Sequence, residues 1–204
     1  FAMLLLSILL LAVVSTISAE CWCDNGLNRT EVDSITSVHN NLRMLISAGK
    51  FVVNGTTMPG TAKTMGTISW DCALERDAVK VAATCSSAPN NTNTQHGQNS
   101  YFFNATSVNG TAVVLSSTTG RIATAAGIWA GEFARFGWPS IQYTPAVAKL
   151  GISEATQMAW AKTRKVGCGA ALCNSNRSVL VVCRYRVAGN VLNNYVYPPA
   201  NVCG

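Results

Sequence analysis

The sequence predicts a single α+β domain in which a β-sheet is covered on both sides. Stretches with apolar residues at helical spacing fill much of the chain before residue 160, and two predicted strands follow them. The second strand, 178–187, carries apolar residues on both faces, which is typical of a strand covered on both sides. Across 204 residues no internal repeat, charge block or second domain is apparent.

The first helix is predicted to begin at Thr30-Glu31-Val32-Asp33, which has the pattern of a capping box, and to stop at Gly49. His39 lies on its apolar stripe, and we interpret it as a core histidine that hydrogen-bonds a backbone group rather than as a catalytic base. The whole stripe consists of Val32, Ile35, His39, Leu42 and Ile46.

Two more helices are predicted in the middle of the chain, separated by a long loop region. Residues 86–120 are rich in Ser, Asn, Thr and Gly, which favours a loop. The helix before this region starts at Asp71, and its inner stripe is Leu74, Ala78, Val81, Ala82 and Cys85. The helix after it runs from about Thr119 to Phe136, and its inner stripe is Ile122, Ala126, Trp129, Phe133 and Phe136.

The last predicted helix is followed by the two strands. Ser153 is expected to cap this helix, and Lys162, Arg164 and Lys165 place positive charge near its end. Glu154 lies in the first turn, where the helix dipole stabilises a carboxylate whether or not it takes part in chemistry. The strands are predicted at 166–170 and 178–187.

Residues 1–19 are predicted to be a secretory signal peptide, because they are almost wholly apolar and end in the small residue Ala19. Residues 20–204 then form the mature domain. A membrane anchor is the alternative, but a short apolar segment before a cysteine-rich polar chain favours cleavage. The expected location is therefore extracellular.

Eight cysteines follow this segment, and an even number in a secreted chain predicts disulfides. A zinc site is disfavoured because the chain has no Cys-x2-Cys pair and only two histidines. Cys21 and Cys23 are too close in sequence to bridge each other easily, so each is expected to reach Cys72, Cys203 or a second molecule.

The surface is expected to be glycosylated and mildly basic. The net charge is +6, which favours a solvated surface with at most a weak attraction to anionic glycans or lipid head groups; no nucleic-acid partner is predicted. Asn-x-Ser/Thr triplets, the acceptor sequence for N-glycans, begin at Asn28, Asn54, Asn90, Asn104, Asn109 and Asn176.

Six motifs follow one another along the chain. They are His39-Asn40-x-x-Arg43, Gly97-Gln98-Asn99, Trp129-x-x-Glu132, Thr156-Gln157-Met158-Ala159-Trp160, Val166-Gly167-Cys168-Gly169, and Val182-Cys183-Arg184-Tyr185 with Gly189-Asn190. This ordered set resembles the CAP superfamily, which unites cysteine-rich secretory proteins, antigen 5 and plant pathogenesis-related proteins of class 1. The details are most similar to the activation-associated secreted proteins of parasitic nematodes, also called venom allergen-like proteins.

This resemblance implies a disulfide-stapled three-layer α-β-α sandwich with a central antiparallel sheet. It also implies the bridges Cys85–Cys173 and Cys168–Cys183. Cys21, Cys23, Cys72 and Cys203 are left unassigned. They can tie the two ends of the chain together or join two subunits in a covalent homodimer.

The resemblance further implies a cleft with two His and two Glu, but this chain keeps only one of the four residues. The matching positions are Pro89, Gln98, Glu132 and Glu154, so no zinc site and no cofactor are predicted. His96 is the one imidazole that can partly replace a ligand, and the two acids can instead attract magnesium or calcium. Without a nucleophile and base in reach of each other, no enzyme is predicted; a weak hydrolase that uses Glu132 and Glu154 is the alternative.

The segment Phe136 to Tyr143 resembles the aromatic loop that some members of the superfamily use to bind sterols. Its rings are Phe136, Trp138 and Tyr143, and the alternative is that they pack into the core. The predicted function is that of a secreted, non-enzymatic nematode product that acts on a host by protein or lipid binding. A sterol or lipid carrier that uses this loop is the alternative.

Overall fold

The structure is a computed structural model that describes residues 23, 26–61, 65–89, 91, 95–104, 107–108, 111–112, 118 and 120–200. The predicted signal peptide, Cys21, Cys203 and the glycosylation triplets' Asn90 and Asn109 lie outside these residues. Within the described ranges, no helix has both the length and the hydropathy to cross a bilayer.

The helices of the described residues differ greatly in length. The longest contributes six residues to the core, among them His39, which is fully buried as predicted. In chain order they are α1 (Arg29–Ser47), α2 (Cys72–Ala82), α3 (Arg121–Ala130), α4 (Glu132–Phe136), α5 (Pro145–Ala148) and α6 (Ser153–Ala159).

In the described residues the strands form a four-stranded sheet and two small hairpins. The sheet has the order β3-β7-β8-β4, in which the edge strand β3 runs parallel to β7 and the other pairs are antiparallel. The pairs β1-β2 and β5-β6 are separate antiparallel hairpins. The strands are β1 (Val52–Val53), β2 (Thr56–Thr57), β3 (Ser69–Trp70), β4 (Gly97–Asn104), β5 (Ser107–Val108), β6 (Thr111–Ala112), β7 (Lys165–Cys173) and β8 (Ser178–Arg186).

Helices cover both faces of the sheet. Helix α2 packs on β7 and β8 from one side, whereas α1, α3 and α6 pack from the other. Neighbouring side chains of β8 show the two faces: Arg184 donates to Asp77 on α2, and Tyr185 hydrogen-bonds His39 on α1. The predicted three-layer α+β sandwich is therefore confirmed.

Three disulfides staple the described part of the chain. Cys85–Cys173 and Cys168–Cys183 are the two bridges that the family resemblance implies. The third, Cys23–Cys72, ties the segment before α1 to the first residue of α2. It settles the partner of Cys23, which the sequence left open among several choices.

The start of α1 differs from the prediction by two residues. Asn28, not Thr30, is the N-cap: its side chain accepts a hydrogen bond from the Glu31 amide at 3.0 Å, and the Glu31 carboxylate accepts from the Asn28 amide at 3.2 Å. The capping box is thus Asn28 with Glu31. Thr30 and Asp33 show the same spacing in the sequence, which is why they were a credible alternative.

The predicted third helix is two helices, and the predicted loop before it contains a strand. Helix α3 ends at Ala130, α4 begins at Glu132, and Phe136 at its end is 43% exposed rather than in the core. Strand β4 lies inside the predicted 86–120 loop. It is missing from the sequence prediction because β8, its partner, lies about 80 residues later and supplies its hydrogen bonds on one edge.

The last helix is shorter than predicted and is not capped by Ser153. Ser153 is its first helical residue, and the helix ends at Ala159, so Lys162 and Arg164 lie in the connection between α6 and β7. A free amide of the first turn, that of Ala155, is instead bonded by the Glu132 carboxylate at 3.0 Å. A side chain from α4 therefore performs the role predicted for Ser153.

Candidate functional site

Glu132 and Glu154 form a partly buried acid pair where α4 meets the start of α6. The break at Gly131 places Glu132 in the first turn of α4, and Glu154 lies in the first turn of α6. The two side chains hydrogen-bond each other, while Glu132 also accepts from the Ala155 amide. Two carboxyl groups can share such a bond only when one of them carries a proton.

The electrostatics place that proton on Glu132. Burial and the neighbouring carboxylate of Glu154 raise the pKa of Glu132 to about 8. Burial also raises the pKa of Glu154, but the hydrogen bond from Glu132 acts in the opposite direction there. At neutral pH the pair is therefore one carboxylic acid that donates to one carboxylate.

A chain of buried polar side chains lies beside this pair. Asn99 on β4 donates from Nδ2 to the Glu154 carbonyl at 3.0 Å and to the Tyr185 hydroxyl at 3.1 Å. Tyr185 in turn lies 2.9 Å from Nε2 of His39. The Oδ1 atom of Asn99 is buried and has no hydrogen-bond partner in the described part of the protein.

Gln98 and Pro89, the other two positions that match the family's cleft set, lie on the opposite side of the sheet. Gln98 donates to the Pro89 carbonyl at 2.8 Å and accepts from Arg184 at 2.6 Å. Arg184 also donates to Asp77 on α2, so this group belongs to the α2 face. His96 is there too, with Nδ1 3.9 Å from Asp77.

The residues present do not fit the family's metal set. Pro89 offers no ligand, the Gln98 oxygen is bonded to Arg184, and the two acids are bonded to each other. Among the described residues the one group of three potential metal ligands is Cys23, Cys72 and Glu75, and both of its sulfur atoms are in a disulfide. His96 lies with Asp77 and not with the acid pair, so it does not replace a ligand as the sequence suggested.

A second candidate site is an apolar groove between the β1–β2 hairpin and the segment that follows α4. Its volume is about 650 Å³. The hairpin forms one wall and residues 137–141 form the other. The groove is lined by Val53, Asn54, Thr56, Thr57, Met58, Pro59, Phe136, Gly137, Trp138, Pro139, Ser140, Ile141 and Leu150.

The three aromatic residues singled out in the sequence have different places around this groove. Trp138 is buried and stacks on Phe133 with ring centroids 4.0 Å apart. Tyr143 is buried as well and does not line the groove; its hydroxyl lies 2.9 Å from Ser153 Oγ. Phe136 is exposed, with the Arg135 guanidinium 4.8 Å from its ring centroid. Trp138 and Tyr143 therefore pack into the core, as the alternative interpretation of this segment expected, and Phe136 is exposed.

The other wall of the groove, the β1–β2 hairpin, is not among the elements predicted from the sequence. A signal was present: Asn54-Gly55 between two short β-branched pairs is a typical hairpin turn. Trp138 also carries an unexpected feature, since its Nε1 is buried without a hydrogen-bond partner among the described residues.

Comparisons with known proteins agree with the fold and the motif order. A family model described as CAP, cysteine-rich secretory protein family, matches residues 36–185. The Ancylostoma secreted protein of Ancylostoma caninum is 26% identical over 90% of this chain, which spans only 42% of that relative's length. Venom allergen 3 of Solenopsis invicta is 31% identical over 84% of this chain and 74% of its own.

Two solved structures have the same TM-score of 0.74 to this protein. BmVAL-1 is 31% identical, with 88% of this chain and 87% of that chain covered. NaASP2, solved with Zn²⁺, is 26% identical, with 86% and 89% covered. The zinc ion belongs to that protein.

Proposed function

Because this chain belongs to the CAP family of cysteine-rich secretory proteins, we propose that it is a secreted, non-catalytic binding protein that takes an apolar ligand in the groove beside the β1–β2 hairpin. The ligand class is a lipid or sterol with one polar end. In this proposal the protein is a nematode excretory-secretory product that acts on a host through what it binds. The groove itself is the observation that carries the proposal.

The size and chemistry of the groove suit such a ligand. Its volume of about 650 Å³ falls in the range of small-molecule sites, which are mostly apolar with a few polar groups that orient the ligand. Met58, Ile141 and Leu150 supply apolar surface, and the exposed ring of Phe136 can lie against a flat ligand.

Hydroxyl groups in the lining offer a place for the polar end of the ligand. The hydroxyls of Thr57 and Ser140 are such groups. A ligand with one hydroxyl or carboxyl end therefore fits better than a plain hydrocarbon.

The acid pair supports a non-catalytic role. Glycosidases hold their two carboxyl groups about 5 Å or more apart so that substrate or water fits between them. Glu132 and Glu154 are in direct hydrogen-bond contact instead. His39 is committed to Ile35 and Tyr185 in the core, so it is unavailable as a base.

Secretion is supported by the disulfides of this chain and by the names of its matched relatives. Three disulfides in the described residues require an oxidising compartment to form and persist. The matched relatives are named as a secreted protein and as venom allergens. Expression with the native leader should therefore deliver the protein to the medium of a eukaryotic culture.

The proposal is tested by fluorescence titration of the purified protein with a fluorescent sterol and, separately, a fluorescent fatty acid. Phe136→Ala should weaken binding severalfold, and Thr57→Trp, which fills the groove from an exposed strand position, should abolish it. Ile128→Trp is the control, because this exposed α3 residue does not line the groove. Binding that is absent in the parent protein, or equal in Thr57→Trp, rejects the groove as the site.

A second candidate function, protein binding, is favoured by an exposed apolar strip between residues 187 and 195. Its large side chains are each about half exposed: Val187, Val191, Leu192 and Tyr195. We propose a second copy of the chain as the partner, in line with the covalent dimer that the sequence leaves open for Cys21 or Cys203. Light scattering and a non-reducing gel test this. The dimer is rejected if the protein is a monomer with and without reductant and if Leu192→Glu leaves its mass in solution unchanged.

A further inference from the structure

The triplet Asn54-Gly55-Thr56 is at once a glycosylation sequon and the turn of the β1–β2 hairpin. Val53 pairs with Thr56, so Asn54 and Gly55 form a two-residue loop. Their φ angles are 49° and 78°, as a type I′ turn requires, and Asn and Gly are the residues that adopt such angles most readily. The turn conformation explains why Asn and Gly occupy positions 54 and 55, and Thr56 completes the acceptor sequence for an N-glycan.

The side chain of Asn54 is available for modification. The residue is exposed, and its side-chain amide takes part in none of the hydrogen bonds of the described residues. The ladder of the hairpin joins Val52 to Thr57 and Val53 to Thr56, and it does not use the side chain of Asn54. A sugar on Nδ2 therefore leaves the hairpin intact.

The same amide lies at the edge of the groove, opposite Gly137. Asn54 is one of the lining residues, and its Nδ2 is 3.2 Å from the position that a Cβ on Gly137 would take. Gly137 has φ 79°, so the wall opposite the hairpin tip is bare backbone in a conformation that favours glycine. The first sugar on Asn54 would thus begin in the gap between the two walls.

The other sequons in the described residues lie elsewhere. Asn28 caps α1, Asn104 ends β4, and Asn176 is in the turn between β7 and β8; none of them lines the groove. Asn176 is the natural control, because it is exposed and has φ 65° in a tight turn, as Asn54 does. Asn90 and Asn109 are outside the described residues.

We propose that Asn54 carries an N-glycan that stands at the mouth of the groove and restricts entry of the apolar ligand. This inference rests on the proposed function of the groove. An N-glycan is bulky and strongly hydrated, so it covers apolar surface and excludes an apolar ligand from the space that it sweeps. The glycosylated protein then binds more weakly than the same chain without this one glycan.

The experiment uses the full chain secreted by a eukaryotic host. Peptide mass spectrometry after enzymatic deglycosylation in heavy-oxygen water reports which asparagines were occupied. The fluorescent sterol and fatty acid are then titrated into the native glycoprotein, the enzymatically deglycosylated protein and three variants. Thr56→Val removes the sequon and keeps Asn54, Thr56→Ser keeps both, and Asn176→Gly removes the control sequon at a φ that glycine accepts.

We expect Asn54 to be occupied and Thr56→Val and the deglycosylated protein to bind about tenfold more tightly than the native glycoprotein. Thr56→Ser and Asn176→Gly should bind as the native protein does. An unoccupied Asn54, or equal affinity of all forms, overturns the inference and leaves the groove function standing. Absence of binding in every form, including Thr56→Val, overturns both.

Discussion

His39 and Tyr185 meet in the fully buried core, where His39 Nε2 lies 2.9 Å from the Tyr185 hydroxyl. The other ring nitrogen, Nδ1, lies 2.8 Å from the Ile35 carbonyl, which can only accept, so Nδ1 carries the proton. A neutral His39 must then accept at Nε2. Tyr185 therefore donates to His39 and accepts from Asn99, and the three side chains have one consistent arrangement of protons.

His39 should remain neutral, in the Nδ1–H form, at pH values well below those at which histidine usually becomes protonated. Burial lowers the pKa of His39 from 6.5 to about 4. Between these values the unfolded chain takes up a proton that the folded protein does not, so this residue makes stability fall as pH drops from about 6.5 to about 4. Nitrogen-15 NMR of the imidazoles, recorded from pH 7 to pH 4, tests this. A His39 resonance that titrates near pH 6.5 would contradict it.

Removing the Tyr185 hydroxyl should destabilise the fold. Tyr185→Phe leaves Nε2 of His39 without a donor and removes one acceptor of the Asn99 amide, at a cost of about 1–3 kcal/mol in the free energy of unfolding. Urea denaturation measures the change. Tyr195→Phe is the matched control, because Tyr195 is 51% exposed, and it should behave as the parent protein does. Equal losses in the two variants would show that the buried hydrogen bonds contribute little.

The acid pair should make the protein less stable as pH rises. The pKa of Glu132 is raised from 4.5 to about 8 by burial and by Glu154. Between these values the folded protein holds a proton that the unfolded chain has lost, so this residue lowers stability as pH increases from about 4.5 to about 8.

Glu132→Gln should remove this part of the pH dependence. The amide of the new side chain can donate to Glu154 and its oxygen can accept from Ala155, as protonated Glu132 does. Denaturation at pH 5 and pH 8 tests this, with Asp33→Asn on the exposed face of α1 as the control. A variant that loses as much stability as the parent between the two pH values would disprove a proton on Glu132.

Arg43 should be irreplaceable even by lysine. Its buried guanidinium donates to a set of backbone carbonyls, those of Gly66, Met158, Trp160, Ala161 and Thr163. Lysine has three donors on one atom and cannot reach all of them. Arg43→Lys should therefore cost at least about 2 kcal/mol, because buried carbonyls lose their partners. Arg135→Lys, at an exposed position, should change stability little, and a similar loss there would refute the argument.

The Cys23–Cys72 bridge should contribute strongly to stability. The cysteines are 49 residues apart, and loop-closure entropy for that separation corresponds to about 4 kcal/mol. The double variant Cys23→Ser with Cys72→Ser should lose about that amount. Peptide mapping without reduction tests the pairing itself, and a Cys21–Cys72 peptide would show that the neighbouring cysteine is used instead.

Much of the fold could be predicted from the sequence, because its signals are local. The apolar stripe of α1, the Asp71 cap of α2 and the two long strands follow from spacing over a few residues. Strand β4 could not be found in this way, since it has partly buried residues on both faces and its partner is distant in the chain. The break at Gly131 was missed for a related reason, because the stripe continues across it to Phe133.

The sequence by itself determined the family, the three-layer architecture, two of the disulfides and the loss of histidine from the cleft positions. Those conclusions depend on residue identity and order. Only the tertiary structure decided which residues meet: that Glu132 shares a proton with Glu154, that Gln98 faces Arg184 across the sheet from them, and that a hairpin at Asn54 completes a groove with Trp138. Such contacts join residues far apart in the chain, and their pairing is set by how the layers pack rather than by any local pattern.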